Sequence, residues 1–238
     1  MKIGYKAGLK LASALKTKIK SRKADVVLCP DFSSLAEVGK IIKTSVLKLG
    51  AQNVARENNG AFTGEVSPLN LKELGVNYVI IGHSERRQFF GESDEIVNAK
   101  LKNVLSLKKI IPILCIGERE GDNYQLVLKE QLLTAFKGIK LDKDQNVIVA
   151  YEPVWAIGTG KVCPPDHAEN VHRVIRDFLG EMLGKAIVKN NFRLVYGGSV
   201  DAKNAGQFKN LANVDGLLVG GASLDAKNFA QICADLSS

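Results

Sequence analysis

The chain has 238 residues, 45% hydrophobic and 24% charged, a globular composition that excludes long disorder and collagen-like repeats. No apolar run approaches the roughly 18 residues of a membrane span; the longest, Ile110 to Ile116, contains Pro112. The net charge of +8 sits in one segment: Lys2, Lys6, Lys10, Lys16, Lys18, Lys20, Arg22 and Lys23 precede the first acid, Asp25, and bases and acids balance beyond Ala24, 25 of each.

A helical pattern opens the chain near Tyr5. Leu9, Ala12, Leu15 and Ile19 fall on one face and the lysines on the others, the layout of a solvated amphipathic helix. Organelle targeting and polyanion contact are the competing readings of these bases, but Arg is scarce and only Tyr5 offers an aromatic partner for nucleic acid. Met1 to Lys23 lacks the unbroken apolar core of a secretory signal. The expectation is a soluble, cytoplasmic protein with no membrane or nucleic-acid partner.

Seven strand-like runs follow: Asp25 to Cys29, Lys48 to Gln52, Tyr78 to Ile81, Ile110 to Ile116, Val147 to Tyr151, Arg193 to Tyr196 and Gly216 to Val219. Several are almost wholly apolar, as strands buried on both faces are. Segments of helical period separate them. One begins at Ser67-Pro68, with proline at its first position, and ends at Gly75. No linker divides the chain, so residues 1–238 read as one domain of parallel strands joined by helical crossovers. The first strand is followed by Cys29-Pro30-Asp31-Phe32, which is no dinucleotide fingerprint. Polar and glycine-rich clusters instead end several later strands, the pattern of an α/β barrel whose site lies at the carboxyl ends of its strands. A closed eight-stranded barrel needs one more strand ahead of the first helix, and only Met1 to Gly4 stand there. The fold expected is a TIM (β/α)8-type barrel, incomplete at its N-terminus.

Cys29, Cys115, Cys163 and Cys233 have no paired spacing and read as free thiols. No metal-ligand spacing occurs and no cofactor is required. His167 and His172 lie in a polar stretch and read as surface residues.

The strand ends carry the chemistry. Gly197-Gly198-Ser199 and Gly220-Gly221 end consecutive strands, where backbone amides can approach a phosphate closely. Glu152 ends its strand at the root of Val154-Trp155-Ala156-Ile157-Gly158-Thr159-Gly160-Lys161, an apolar loop with late glycines suited to a lid. A carboxylate there can serve as a general base. His83 follows Gly82 where a helix begins; helix amides disfavour the imidazolium, and a neutral ring can polarise a carbonyl. Glu85, Arg86 and Arg87 read as surface or interface ion pairs. A base, a neutral electrophile, a phosphate cradle and a lid suit proton abstraction beside a carbonyl in a small phosphorylated substrate.

Gly82 to Arg87, Ala150 to Lys161, Tyr196 to Val200 and Leu218 to Leu224, with Gly50 to Asn53, Gly60 to Glu65 and Cys115 to Glu118, resemble the triosephosphate isomerase family from about Ala24 to the C-terminus. The resemblance implies Glu152 as the proton shuttle and His83 as the electrophile. It implies Gly158, Ser199, Gly220 and Gly221 as phosphate donors, and Thr63 as an interface residue on a loop entering a partner subunit. It implies interconversion of dihydroxyacetone phosphate and glyceraldehyde 3-phosphate by a homodimer or larger homo-oligomer. Family members begin with a strand ending in Asn-x-Lys, and nothing near Met1 reads so. Met1 falls about where the Lys belongs; a rival alignment offers Lys6, and neither Lys2 nor Lys6 receives a role. Impaired activity is therefore expected. A non-catalytic triose-phosphate-binding or assembly protein is the alternative, and a natural start upstream of Met1 would remove the discrepancy.

Overall fold

The computed structural model describes residues 2–157, 161 and 163–237. In chain order the elements are α1 (Tyr5–Lys18), β1 (Val27–Leu28), α2 (Leu35–Ile42), β2 (Lys48–Ala51), α3 (Pro68–Glu73), β3 (Tyr78–Ile81), α4 (Ser84–Phe90), α5 (Asp94–Ser106), β4 (Ile111–Ile116), α6 (Tyr124–Ala135), β5 (Val147–Tyr151), α7 (Pro165–Leu183), α8 (Lys185–Asn191), β6 (Phe192–Tyr196), β7 (Gly216–Leu217) and α9 (Ala226–Ser237). The first and last strands are shorter than their apolar runs.

All seven strands are parallel and lie in sequence order, each beside its successor. Among the described residues the sheet stays open between β1 and β7. It curls so that alternate residues enter different cores. Tyr78 and Ile80 of β3 join Ile113, Cys115 and Ala150 in an inner cluster. Val79 and Ile81 join the larger outer core, where Leu101, Leu128 and Ile175 of the helices pack. Burial on both faces explains the unbroken apolar runs.

The helix boundaries follow local chemistry. Ser67 accepts a hydrogen bond from the Leu69 amide, Pro68 opens α3, and Gly75 stops the segment at φ +76°. Ser93 caps α5 and Asn123 caps α6 through their side-chain oxygens. On α1, Ala12 and Leu15 are buried. Of the eight leading bases only Lys16 is partly buried, donating to the Ile41 carbonyl at 2.7 Å, and the others are exposed. This is the solvated helix face expected. No helix among the described residues is long and apolar enough to cross a membrane.

His172 departs from the surface position expected of it. It is fully buried on the inner face of α7 with Ala168, Val171, Ile175 and Leu179. Its Nδ1 lies 2.7 Å from the Ala168 carbonyl, and its ring packs edge-on against Tyr151, centroids 5.6 Å apart. Burial pushes its pKa below the ordinary histidine value, although nearby carbonyls and carboxylates oppose the shift. The unfolded chain therefore binds the extra proton below pH ~6.5, and the folded state loses stability as pH falls. Urea unfolding between pH 7 and 5 should show this loss, and His172→Gln should flatten the slope by up to about 1.4 kcal/mol per pH unit. An unchanged slope would contradict the assignment.

Candidate active site

The site residues gather where β3, β4, β5 and β6 end. After the four buried residues of β3, Gly82 turns the chain at φ +70°, a conformation other residues adopt poorly. A Cβ at this position would also meet Val97 Cγ2 at 2.8 Å. His83 then caps α4, its Nδ1 accepting from the Glu85 amide at 3.3 Å. A nitrogen that accepts carries no proton, so this bond leaves the ring proton on Nε2.

Nε2 faces Glu152. The separation from Glu152 Oε1 is 3.0 Å, and the approach is too oblique for a full hydrogen bond, so Oε1 keeps no donor. The other oxygen, Oε2, accepts from the Ser84 amide at 2.8 Å in the first turn of α4. Glu152 is 2% exposed. Burial lowers the His83 pKa, but the adjacent Glu152 carboxylate, helped by Glu85, outweighs it and holds the pKa above the ordinary value. The two influences conflict: the helix amide selects the neutral ring, and the carboxylate favours the cation.

Neighbouring strands fix the carboxylate's backbone. A Cβ on Gly117, just after β4, would lie 1.8 Å from the Glu152 carbonyl oxygen, so only glycine fits there. A Cβ on Gly197, just after β6, would lie 3.1 Å from Glu152 Cγ. Beyond Glu152, Trp155 Nε1 (2.7 Å) and Tyr151 OH (3.0 Å) both donate to the buried Glu118 Oε1, anchoring the first turn of the apolar loop. Ser199 Oγ donates to the Ala156 carbonyl at 2.8 Å, so its hydroxyl is engaged by that loop. Gly220 and Gly221 are exposed at the end of the β7 run, with open space above Gly220. Lys2 Nζ lies 4.0 Å from the point a Cβ on Gly221 would occupy. Gly158, the remaining phosphate candidate, lies outside the described residues.

Sequence reasoning missed several residues. Arg87 is no surface partner: its Nε donates to the Gly82 carbonyl at 2.7 Å, one terminal nitrogen reaches the Cys115 carbonyl at 3.2 Å, and the other pairs with Asp94. It ties the His83 turn to β4. Arg86 and the buried Lys100 converge on Glu92 Oε1, and Lys100 also reaches Asn53 Oδ1 at 2.7 Å. These partners are distant in sequence or separated by a turn, and only the GHSERR run itself gave a signal. Thr63 stands on an exposed turn beside Phe62. Phe62 joins Arg86, Phe90, Glu92 and Lys100 around a cavity of about 270 Å³, and Phe89 and Phe90 are 67% and 68% exposed. Among the described residues no group of three or more His, Cys, Asp or Glu is placed to hold a metal ion.

Comparison with known proteins finds matches along most of the chain. The family model described as triosephosphate isomerase matches residues 1–236, which includes the basic first helix. Proteins named triosephosphate isomerase from Thermoanaerobacter sp. (strain X514) and Caldanaerobacter subterraneus subsp. tengcongensis are 46% and 47% identical over 229 residues, 94% of this chain and 91% of each relative. One from Alkaliphilus oremlandii is 46% identical over 231 residues, 95% of this chain and 92% of the relative. With its seven-stranded parallel sheet and its strand-end His and Glu, the chain belongs to the triosephosphate isomerase family.

Proposed function

We propose that the chain is a triose-phosphate isomerase that interconverts dihydroxyacetone phosphate and glyceraldehyde 3-phosphate. The observation that carries this reading is the 3.0 Å approach of His83 Nε2 to Glu152 Oε1 at one end of a parallel sheet. Glu152 takes a proton from the carbon beside the carbonyl and returns it to the neighbouring carbon. His83, neutral with its proton on Nε2, donates to the oxygens that carry the developing enediolate charge. An Oε1 without a hydrogen-bond donor is available to take that proton. Family membership and the names of the relatives support the substrate class.

Gly158, Ser199, Gly220 and Gly221 are proposed to bind the phosphate, Ser199 through its amide because its hydroxyl is engaged elsewhere. Lys2 is proposed to add the cation, since its ammonium already lies over Gly221. It hangs from a short exposed lead with no strand to fix it, which supports turnover below that of a site whose lysine ends a strand. The competing reading, a triose-phosphate-binding protein without turnover, is favoured by residues 2–4, which lie outside any strand and do not read Asn-x-Lys. We place the protein in the cytoplasm as a homodimer, with Thr63 and Phe62 of one protomer entering its partner near Phe90.

Three measurements test this reading. Glu152→Gln should lower kcat for glyceraldehyde 3-phosphate by at least about 10², and an NMR titration of the same variant should show the His83 pKa falling, because burial then acts unopposed by the carboxylate. Retained turnover excludes Glu152 as the base, and an unmoved His83 excludes their coupling. Lys2→Met should reduce kcat/KM by about 10²–10³; an unchanged value removes Lys2 from the site, and no turnover in the unaltered protein together with binding of a phosphate-bearing enediolate mimic selects the non-catalytic reading. Light scattering at micromolar concentration should give twice the chain mass, and Phe62→Glu with Phe90→Glu should halve it; a monomeric unaltered protein contradicts the dimer.

A further inference from the structure

Three rings from three separate segments meet beside the loop that follows Glu152. Tyr124 opens α6, which Asn123 caps. His167 lies in the first turn of α7, whose start is set by Pro165. Trp155 stands in the single turn Val154–Ala156, close after Glu152 in the chain. The His167 ring centroid is 5.8 Å from that of Tyr124 and 6.3 Å from that of Trp155, at interplanar angles of 70° and 68°. Both are edge contacts at separations that aromatic rings favour. His167 is half-buried, not the surface residue that its polar stretch suggests. A side chain in the first turn of a helix leans back past the helix start, which directs His167 toward the Trp155 turn.

The row of rings is anchored at both ends. At one end Asn170 Nδ2, one turn beyond His167 on α7, donates to Tyr124 OH at 3.2 Å. At the other end Trp155 Nε1 donates to Glu118 Oε1 at 2.7 Å, and the same oxygen accepts from Tyr151 OH at 3.0 Å. Tyr151 directly precedes Glu152. The backbone of the turn is held as well, since the Val154 amide donates to the Glu118 carbonyl at 3.0 Å and the Ala156 amide to the Pro153 carbonyl at 2.8 Å. A hydrogen bond at one atom of an indole leaves the ring able to swing about that bond. A second ring packed against it removes that freedom, and His167 is so packed.

We propose that His167 is a positioning residue for the isomerase reaction: wedged between Tyr124 and Trp155, it holds the Trp155 turn against Glu118 and so steadies Glu152 at the root of that turn. His167 acts through Trp155, and the inference rests on the reaction proposed above. The role asks for a flat ring, which phenylalanine supplies and glutamine does not.

The test compares His167→Ala, His167→Gln and His167→Phe in the full chain. The Ala and Gln variants should each lose about 3–10-fold in kcat for glyceraldehyde 3-phosphate, with KM nearly unchanged, and the Phe variant should recover most of the rate. The chain has one tryptophan, so its emission reports on Trp155 alone: it should shift to the red in the Ala and Gln variants and stay in place in the Phe variant. In the unaltered protein, NMR should show cross-relaxation between the ring protons of His167 and Trp155, a measurement that needs no variant to fold. Absent cross-relaxation, a Gln variant with unchanged kcat and emission, or a Phe variant as impaired as the Gln variant would each overturn the role of His167 while leaving the reaction standing. No turnover in the unaltered protein would overturn the reaction itself, and this proposal with it.

Discussion

The structure depends on where one buried carboxylate is held. Glu152 is shut away from solvent at the end of β5, yet only one of its oxygens has a hydrogen-bond donor, the Ser84 amide. A buried polar group left half-satisfied is costly, and the fold bears that cost at the position proposed for the proton acceptor. Four strand ends cooperate to hold it there: β3 delivers His83 and Ser84, β4 presses Gly117 against the Glu152 carbonyl, β6 closes over its side chain at Gly197, and β5 supplies the residue itself. Arg87 binds the first two of these together.

Much of this was legible in the sequence. Apolar runs marked the strands because both faces of the sheet are covered, and polar clusters marked their carboxyl ends because chemistry in such folds collects there. His83 and Glu152 were legible for that reason. His172 was misread although its signal was present: Ala168, Val171, His172, Ile175 and Leu179 follow the helical period and share one buried face, but the polar residues around them obscured it. Arg86, Arg87 and Lys100 were not legible in the same way. Their partners, Glu92, the Cys115 carbonyl and Asn53, are brought near only by the curl of the sheet, and no local pattern distinguishes them from solvated charges. The edge strands were overestimated in length because Asp25 to Cys29 and Gly216 to Val219 have apolar character without a neighbour on each side to regularise them.

The basic leading segment takes the solvated position that its pattern suggested. Four of the eight bases, Lys6, Lys10, Lys16 and Lys18, lie on α1, whose apolar face is buried in the outer core, and all of the eight but Lys16 are exposed. Lys2, ahead of that helix, is singled out by position rather than by sequence context, since its ammonium lies near Gly221.

The contact between Gly117 and the Glu152 carbonyl has a mechanical meaning. With no room for even a methyl group at that junction, β4 and β5 are locked at a fixed lateral spacing, and the ring of strands has a stiff seam beside its carboxylate. Across the curl of the sheet, β1 and β7 share no ladder among the described residues. The strands that carry Glu152 and its neighbour are, by contrast, held together by a backbone-to-backbone contact as well as by their ladder.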